Sequence, residues 1–438
     1  MITTAFVKIW GEIVGAVAWD ETNGLASFEY DTKFIKQNID LSPIKMPIAS
    51  GNNIFSFPEL RQQRNSDFDT FKGLPGLLAD VLPDRYGHQL INSWLVQNGR
   101  LPNSMNPVEQ LCFIGTRGMG ALEFEPSQLK SSKQAVSVEL DSLVRVASQL
   151  LDHKKSFETQ LDKEQQKAML DILRIGTSAG GARPKAVIAY NEKIGEVKSG
   201  QAKAPQGFEH WLLKLDGVSD TQFGESQGYG RVEMAYYEMA IACGIEMKES
   251  RLLEENGRAH FMTKRFDREG NEVKFHIQTF CALQHFDYNE VNSFSYEQLF
   301  QTMRKLRLSY PEAEQMFRRM VFNVLAKNCD DHTKNFSFRL KKGGRWELAP
   351  AYDVCYAYSP TSIWVSQHAL SINGKRKDFL RSDLLRLAES INVKKADRII
   401  TEIMSIVSTW NNFADKVKVE DRIKNTISSV LEENLTHF

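Results

Sequence analysis

Asp330, Asn335 and Asp353 are the residues of this chain whose types and spacing could do chemistry together. Asn335 follows Asp330 by five positions, and the residues after it, Phe336-Ser337-Phe338-Arg339-Leu340, alternate in the period-two manner of a strand. Gly343-Gly344 supplies the positive φ that a tight hairpin needs, and the returning arm leads to Tyr352-Asp353. A carboxylate, an amide five residues on and a second carboxylate returned by a hairpin are the parts of a phosphoryl-transfer site. There the first accepts the proton of a substrate hydroxyl and the other two hold magnesium. The spacing nominates Asp330 as the base, with Asp331 the weaker candidate. A polar turn is the plain alternative. His332 and the two carboxylates could also hold a transition metal, but the chain has no His-x-x-x-His or Cys-x-x-Cys spacing to complete such a site.

The elements that must position these residues are also legible. Ser309-Tyr310-Pro311-Glu312 is a capping box with proline in the first turn, and Met316, Phe317, Met320, Val321, Val324 and Leu325 form one apolar stripe. A helix therefore delivers the chain to Asp330. Farther back, Trp211-Leu212-Leu213-Lys214-Leu215 reads as an apolar strand, and a lysine inside such a run either snorkels at an edge or meets an anion. The helix from Arg231 to Ala240 offers Glu233, ahead of Glu238, as its partner, like the lysine and glutamate that position ATP phosphates in kinases.

Between Gly176 and Lys185 the small residues around Gly180, Gly181 and Ala182 would let backbone N–H groups approach a polyphosphate, with Arg183 and Lys185 adding charge. This is not a Walker A loop, because Gly181 is followed by Ala-Arg, and it is not Gly-x-Gly-x-x-Gly. Taken alone, such a turn is more often an ordinary loop. Phe261 to Arg268 reads as a strand ending where a two-lobed enzyme would hinge.

Across all 438 residues, 55 basic and 55 acidic side chains cancel, so no whole-molecule footprint for nucleic acid is present. Lys375-Arg376-Lys377 is a local basic cluster, either a solvated turn or a DNA contact. Five scattered cysteines point to reduced thiols in a cytoplasm-like compartment, and neither a leader nor a membrane-spanning run is expected. The N-terminal residues read as an antiparallel meander with turns at Gly11 and Asn23-Gly24, followed by a helix from Tyr86 to Gln97, and helices are expected near 382–390, 396–413 and 420–433.

Together, Ser178-x-x-Gly181-Ala182-Arg183-Pro184-Lys185, Lys264-Arg265-Phe266-Asp267-Arg268, Asp330-Asp331-His332-Thr333-Lys334-Asn335 and Tyr352-Asp353 resemble the HipA toxin family of bacterial serine/threonine protein kinases. So do Gly115-Thr116-Arg117-Gly118-Met119-Gly120 and Ser371-Ile372-Asn373-Gly374-Lys375. The resemblance implies an α+β, two-lobed kinase-like fold: a β-rich subdomain over 1–130, an N-lobe over 131–267 and an all-helical C-lobe over 268–438. It implies Asp330 as base and Asn335 with Asp353 as Mg2+ ligands. ATP is then expected against Gly180 to Lys185, Lys214, Lys264, Arg265, Phe266, His332, Lys334, Asn335 and Tyr352. Ser178 falls on the serine whose autophosphorylation switches such kinases off. The implied partners are a helix-turn-helix antitoxin, operator DNA through that antitoxin, and a protein substrate, a translation component whose phosphorylation arrests growth. A catalytically weak co-repressor is the alternative function.

Overall fold

The computed structural model describes residues 2–62, 69–128, 137–152, 184–200, 204–218, 228–270 and 273–438. They form a mixed α/β chain with several sheets. Two compact units result: Met1–Gln227, Glu254–Gln278 and Leu340–Gly344 make the first, and Gly228–Leu253, Thr279–Arg339 and Arg345–Phe438 the second. No helix among the described residues is long and apolar enough to cross a membrane, and none of the five cysteines forms a disulfide.

In the first unit, β1 (Thr4–Ile9), β2 (Glu12–Asp20), β3 (Leu25–Tyr30), β4 (Ile54–Phe55) and β5 (Leu122–Glu125) make an antiparallel sheet in the order β4-β3-β2-β1-β5. Side-chain alternation sets its inner face: Ala5, Val7 and Ile9 of β1 are buried while Phe6 points out. The first turns are tight because Gly11 and Gly24 adopt φ of +82° and +61°. The expected meander is therefore present, and β4 and β5 extend it on either side. β5 arrives from the buried helix Pro107–Ile114, which Asn106 caps by accepting the Glu109 N–H at 2.8 Å.

A second sheet has the order β7-β6-β8-β10-β9, from β6 (Lys185–Asn191), β7 (Glu196–Ser199), β8 (Glu209–Lys214), β9 (Ser250–Glu255) and β10 (Arg258–Lys264). β6 is an interior strand of this sheet, with Ala186, Val187, Ile188 and Ala189 all buried. Along β9 the chain passes from the second unit into the first.

The second unit is mostly helical. Tyr310–Leu325 is the expected helix, with the reciprocal cap at Ser309 and Glu312, and it buries the whole apolar stripe from Met316 to Leu325. The expected helix over 396–413 is two, Ala396–Val407 and Trp410–Lys416, broken at Ser408 and Thr409. The all-helical expectation for 268–438 needs correction, because strands Ser337–Leu340 and Trp346–Leu348 lie within it as neighbours in a sheet. Their alternating residues bury Phe338, Leu340, Trp346 and Leu348 and so favour strand over helix.

Candidate active site

The helix Tyr310–Leu325 ends under strict control. Asn434 Nδ2 donates to the carbonyls of Val324 and Leu325, each at 3.0 Å, and Tyr236 OH donates to that of Ala326 at 2.7 Å, so the orphan acceptors of the last turn are satisfied from other helices. Lys327 then turns the chain with φ of +52°. The loop that follows separates its two acids. Asp331 is 1% exposed, and its carboxylate accepts from Tyr296 OH at 2.7 Å, His368 Nδ1 at 2.9 Å and the Ala369 N–H at 2.7 Å. Asp330 is turned outward, its side chain 48% exposed, with His332 Nε2 3.8 Å away.

Asn335 is brought back onto this turn, its Nδ2 donating to the Asp330 carbonyl at 2.6 Å and its N–H to the His332 carbonyl at 2.9 Å. That use of the amide nitrogen leaves Oδ1 as the atom with which Asn335 could meet a cation. His332 Nδ1 caps the short turn Thr333–Asn335 by accepting the Lys334 N–H, and the Lys334 ammonium lies 4.8 Å from the centre of the Tyr288 ring. The hairpin returns as the spacing predicts. Ala349 N–H donates to the Ser337 carbonyl at 3.0 Å, and Tyr352 OH donates to the Lys334 carbonyl at 2.6 Å while also bonding Ser337 Oγ. Asp353, next in the chain, takes φ of +56°, a left-handed conformation that aspartate tolerates better than most residues. Asn335 and Asp353 are hard oxygen donors of the kind magnesium takes alongside phosphate. The transition-metal alternative fares worse, because Asp331 is committed to its own donors and no group of three or more His, Cys, Asp or Glu converges as a metal site among the described residues.

The first unit holds the other expected residues. Lys185 and Lys214 are partners in the antiparallel β6–β8 ladder, so both side chains stand on one face, with Phe261 the next partner across on β10. Lys264 pairs with Glu209 at 2.7 Å and lies over the Trp211 ring. Arg265 is buried, and its guanidinium reaches Asp267 at 2.8 Å and 2.6 Å. Arg268 Nη1 adds 2.7 Å to the same carboxylate and the Gly120 N–H another 2.7 Å. Burial alone would raise the pKa of Asp267, but Arg265 and Arg268 overcome it and hold the group well below the usual carboxylate range.

Glu233 is buried in the helix Tyr229–Ala242 of the second unit, and Glu238 of that helix pairs with Lys416 at 2.8 Å. Ser178, Gly180, Gly181, Ala182 and Arg183 lie outside the described residues. Sequence reasoning missed Tyr296 and His368, which hold the Asp331 carboxylate, and the role of Asp267, which holds Arg265 and Arg268. Around His368, burial opposes the charge, but the Cys329 sulfur and the Asp331 carboxylate outweigh it and push the imidazole up to about 10. Of the basic cluster, Lys375 pairs with Asp383 at 2.8 Å and Arg376 donates to the carbonyls of Ala369 and Phe294.

Residues 5–125 match the family model of the HipA N-terminal domain, and residues 177–410 match that of the HipA-like C-terminal domain. The chain belongs to the HipA family. A chain of the Shewanella oneidensis MR-1 toxin-antitoxin complex of HipA, HipB and operator DNA is similar to this HipA-family chain over 98% of its length and 95% of the other's. The TM-score is 0.67 at 17% identity, which shows a shared fold. The Helicobacter pylori proinflammatory kinase CtkA aligns over 58% of this chain and 93% of its own at 15% identity and a TM-score of 0.34, too low to establish one. No curated protein matches the chain significantly.

Proposed function

We propose that this HipA-family chain is an ATP/Mg2+-dependent serine/threonine protein kinase with a two-lobed, kinase-like arrangement, acting as the toxin of a toxin-antitoxin pair. The observation that carries the reading is the division of labour at Asp330-Asp331: one acid is buried and saturated, the other faces outward beside an asparagine fixed to the same turn. Asp330 takes the proton of the substrate hydroxyl. Asn335 and Asp353 hold magnesium, and Lys185 and Lys214 hold the phosphates, with Glu233 the partner of Lys214. Mg2+-ATP, when bound, supplies the phosphoryl group that is transferred. Gly180 to Arg183, Lys264, Phe266, His332, Lys334 and Tyr352 complete the nucleotide contacts, and since the Arg265 guanidinium is committed to Asp267, its backbone serves at that position.

Phosphate on Ser178 would place about −1.5 to −2 charges beside those of ATP and weaken nucleotide binding, which is the off switch. A HipB-like helix-turn-helix antitoxin is the proposed partner, supported by family membership and by a shared fold with a HipA seen with HipB and operator DNA. Growth arrest would follow from phosphorylation of a translation component. Incubating the purified protein with labelled ATP and Mg2+ should give phosphoprotein, and Asp330→Asn should not; equal labelling by the variant would remove Asp330 as base and leave Asp331 to be tested.

A further inference from the structure

The peptide joining Asp330 to Asp331 is gripped at both ends. On one side the Asp330 carbonyl accepts from Asn335 Nδ2; on the other the Asp331 carboxylate accepts three donors from two separate elements, Tyr296 at the start of the helix Tyr296–Lys305, and His368 with Ala369 in the segment following the hairpin. Those two elements are tied to each other. Tyr296 N–H donates to the Ser371 carbonyl at 3.0 Å and Ser371 N–H to that of Phe294 at 3.1 Å, while Arg376 joins the carbonyls of Phe294 and Ala369. A chain of amides backs the tyrosine: Asn328 Nδ2 donates to Asn323 Oδ1 at 2.9 Å, and Asn323 Nδ2 donates to Tyr296 OH at 3.1 Å. His368 is 2% exposed, its N–H donates to the Arg376 carbonyl at 2.9 Å, and its ring packs edge-on to Phe379. The polar groups around its ring are Asp331 and Cys329, with Arg376 near the same carboxylate.

We propose that His368 is a positioning residue for the Asp330 loop: with Tyr296 it clamps the Asp331 carboxylate, and through that carboxylate it fixes the backbone from which Asp330 projects. This rests on Asp330 being the base of a kinase. The clamp touches no reacting atom. Its effect is on where the outward carboxylate points, and misplacement by about 1 Å is enough to cost on the order of 100-fold in rate.

The test compares His368→Leu, which removes the donor, His368→Asn, whose amide nitrogen sits close to the lost Nδ1, and Tyr296→Phe, which removes one hydroxyl at constant shape. The leucine variant should lose kcat by about tenfold or more, as expected for a missing hydrogen bond to a charged group, with KM for ATP held within about twofold. Asparagine should recover most of that rate, and Tyr296→Phe should fall between. Hydrogen exchange over residues 328–336 supplies a reading independent of activity: those amides should exchange about tenfold faster in His368→Leu and recover in His368→Asn. Unchanged loop protection and rate in a folded leucine variant, a loss confined to KM, or no rescue by asparagine would overturn the proposal. If the leucine variant does not fold, wild-type kcat and loop protection in Tyr296→Phe overturn it. If the loop loosens as expected while the wild-type protein transfers no phosphate, the kinase reading fails and the clamp on the loop stands.

Discussion

Lys185 and Lys214 stand directly opposite one another on neighbouring antiparallel strands, with both side chains on one face of the sheet. A run of phosphates could be met by both ammonium groups at once. Lys214→Met should therefore show a smaller rise in melting temperature on adding Mg2+-ATP than the wild-type chain, with affinity lower by about tenfold or more for one lost charge-assisted contact. Equal thermal shifts would separate this lysine pair from the phosphates.

Asp353→Asn should weaken nucleotide binding in the presence of Mg2+ while leaving metal-free binding nearly unchanged, because a charged ligand to a hard cation is lost. Isothermal titration with and without the metal measures the difference. A parallel loss under both conditions would place Asp353 in the fold and not at the metal.

The two adjacent acids should respond oppositely to the same conservative change. Asp331→Asn disturbs a buried carboxylate with three donors, one of them the His368 ring, and should cost about 3–5 kcal/mol in denaturant unfolding. Asp330→Asn, at an outward position, should shift stability by about 0.5 kcal/mol or less while abolishing transfer. Equal stability losses would contradict the division between them.

Asp267 carries a pH signature. Its folded pKa is depressed by Arg265 and Arg268, so the stability it contributes is complete above the unfolded carboxyl value of about 3.9 and is lost as the pH falls through the lower folded one. Wild type should be more stable than Asp267→Asn by about 3–5 kcal/mol near neutrality, and the gap should narrow on acidification below about pH 4. A gap that does not change with pH would mean the carboxylate's charge is not what holds this cluster.

Protein phosphorylated at Ser178 should bind Mg2+-ATP more weakly than Ser178→Ala, measured by titration, with Ser178→Asp between them because aspartate carries less charge. Equal affinity of the phosphoprotein and the alanine variant would end the switch.

What was legible in the sequence was what repeats at a fixed period or sits at a fixed local spacing. The stripe from Met316 to Leu325 and the cap at Ser309 are local patterns, and so is the five-residue step from Asp330 to Asn335; each has its counterpart in the structure. The clamp on Asp331 was not legible, because Tyr296 and His368 lie 35 and 37 positions away and each looks ordinary among its neighbours. The break at Ser408 and Thr409 has no local signature, because apolar residues continue on both sides of it. Only the family resemblance implies a nucleotide contact at Arg265, and its side chain answers a carboxylate two residues on. An acid set among the bases of Lys264-Arg265-Phe266-Asp267-Arg268 is the available signal for that cluster.

Asp267 accepts the Gly120 N–H, and Arg268 donates to the Gly120 carbonyl at 2.9 Å, so a buried ionic cluster is completed by a residue from the stretch that matches the N-terminal domain model. The place where that stretch ends in sequence is not a place where the chain can be divided. A protein begun after residue 125 would keep the carboxylate and two guanidiniums shorn of one donor, the Gly120 N–H, and two acceptors, the carbonyls of Gly118 and Gly120. An exchange of N-terminal segments between related chains would succeed only if the incoming piece carried a turn able to present its backbone to Asp267 and Arg268 as Gly120 does. Selection on the two segments is thereby joined, and they should be inherited as one block.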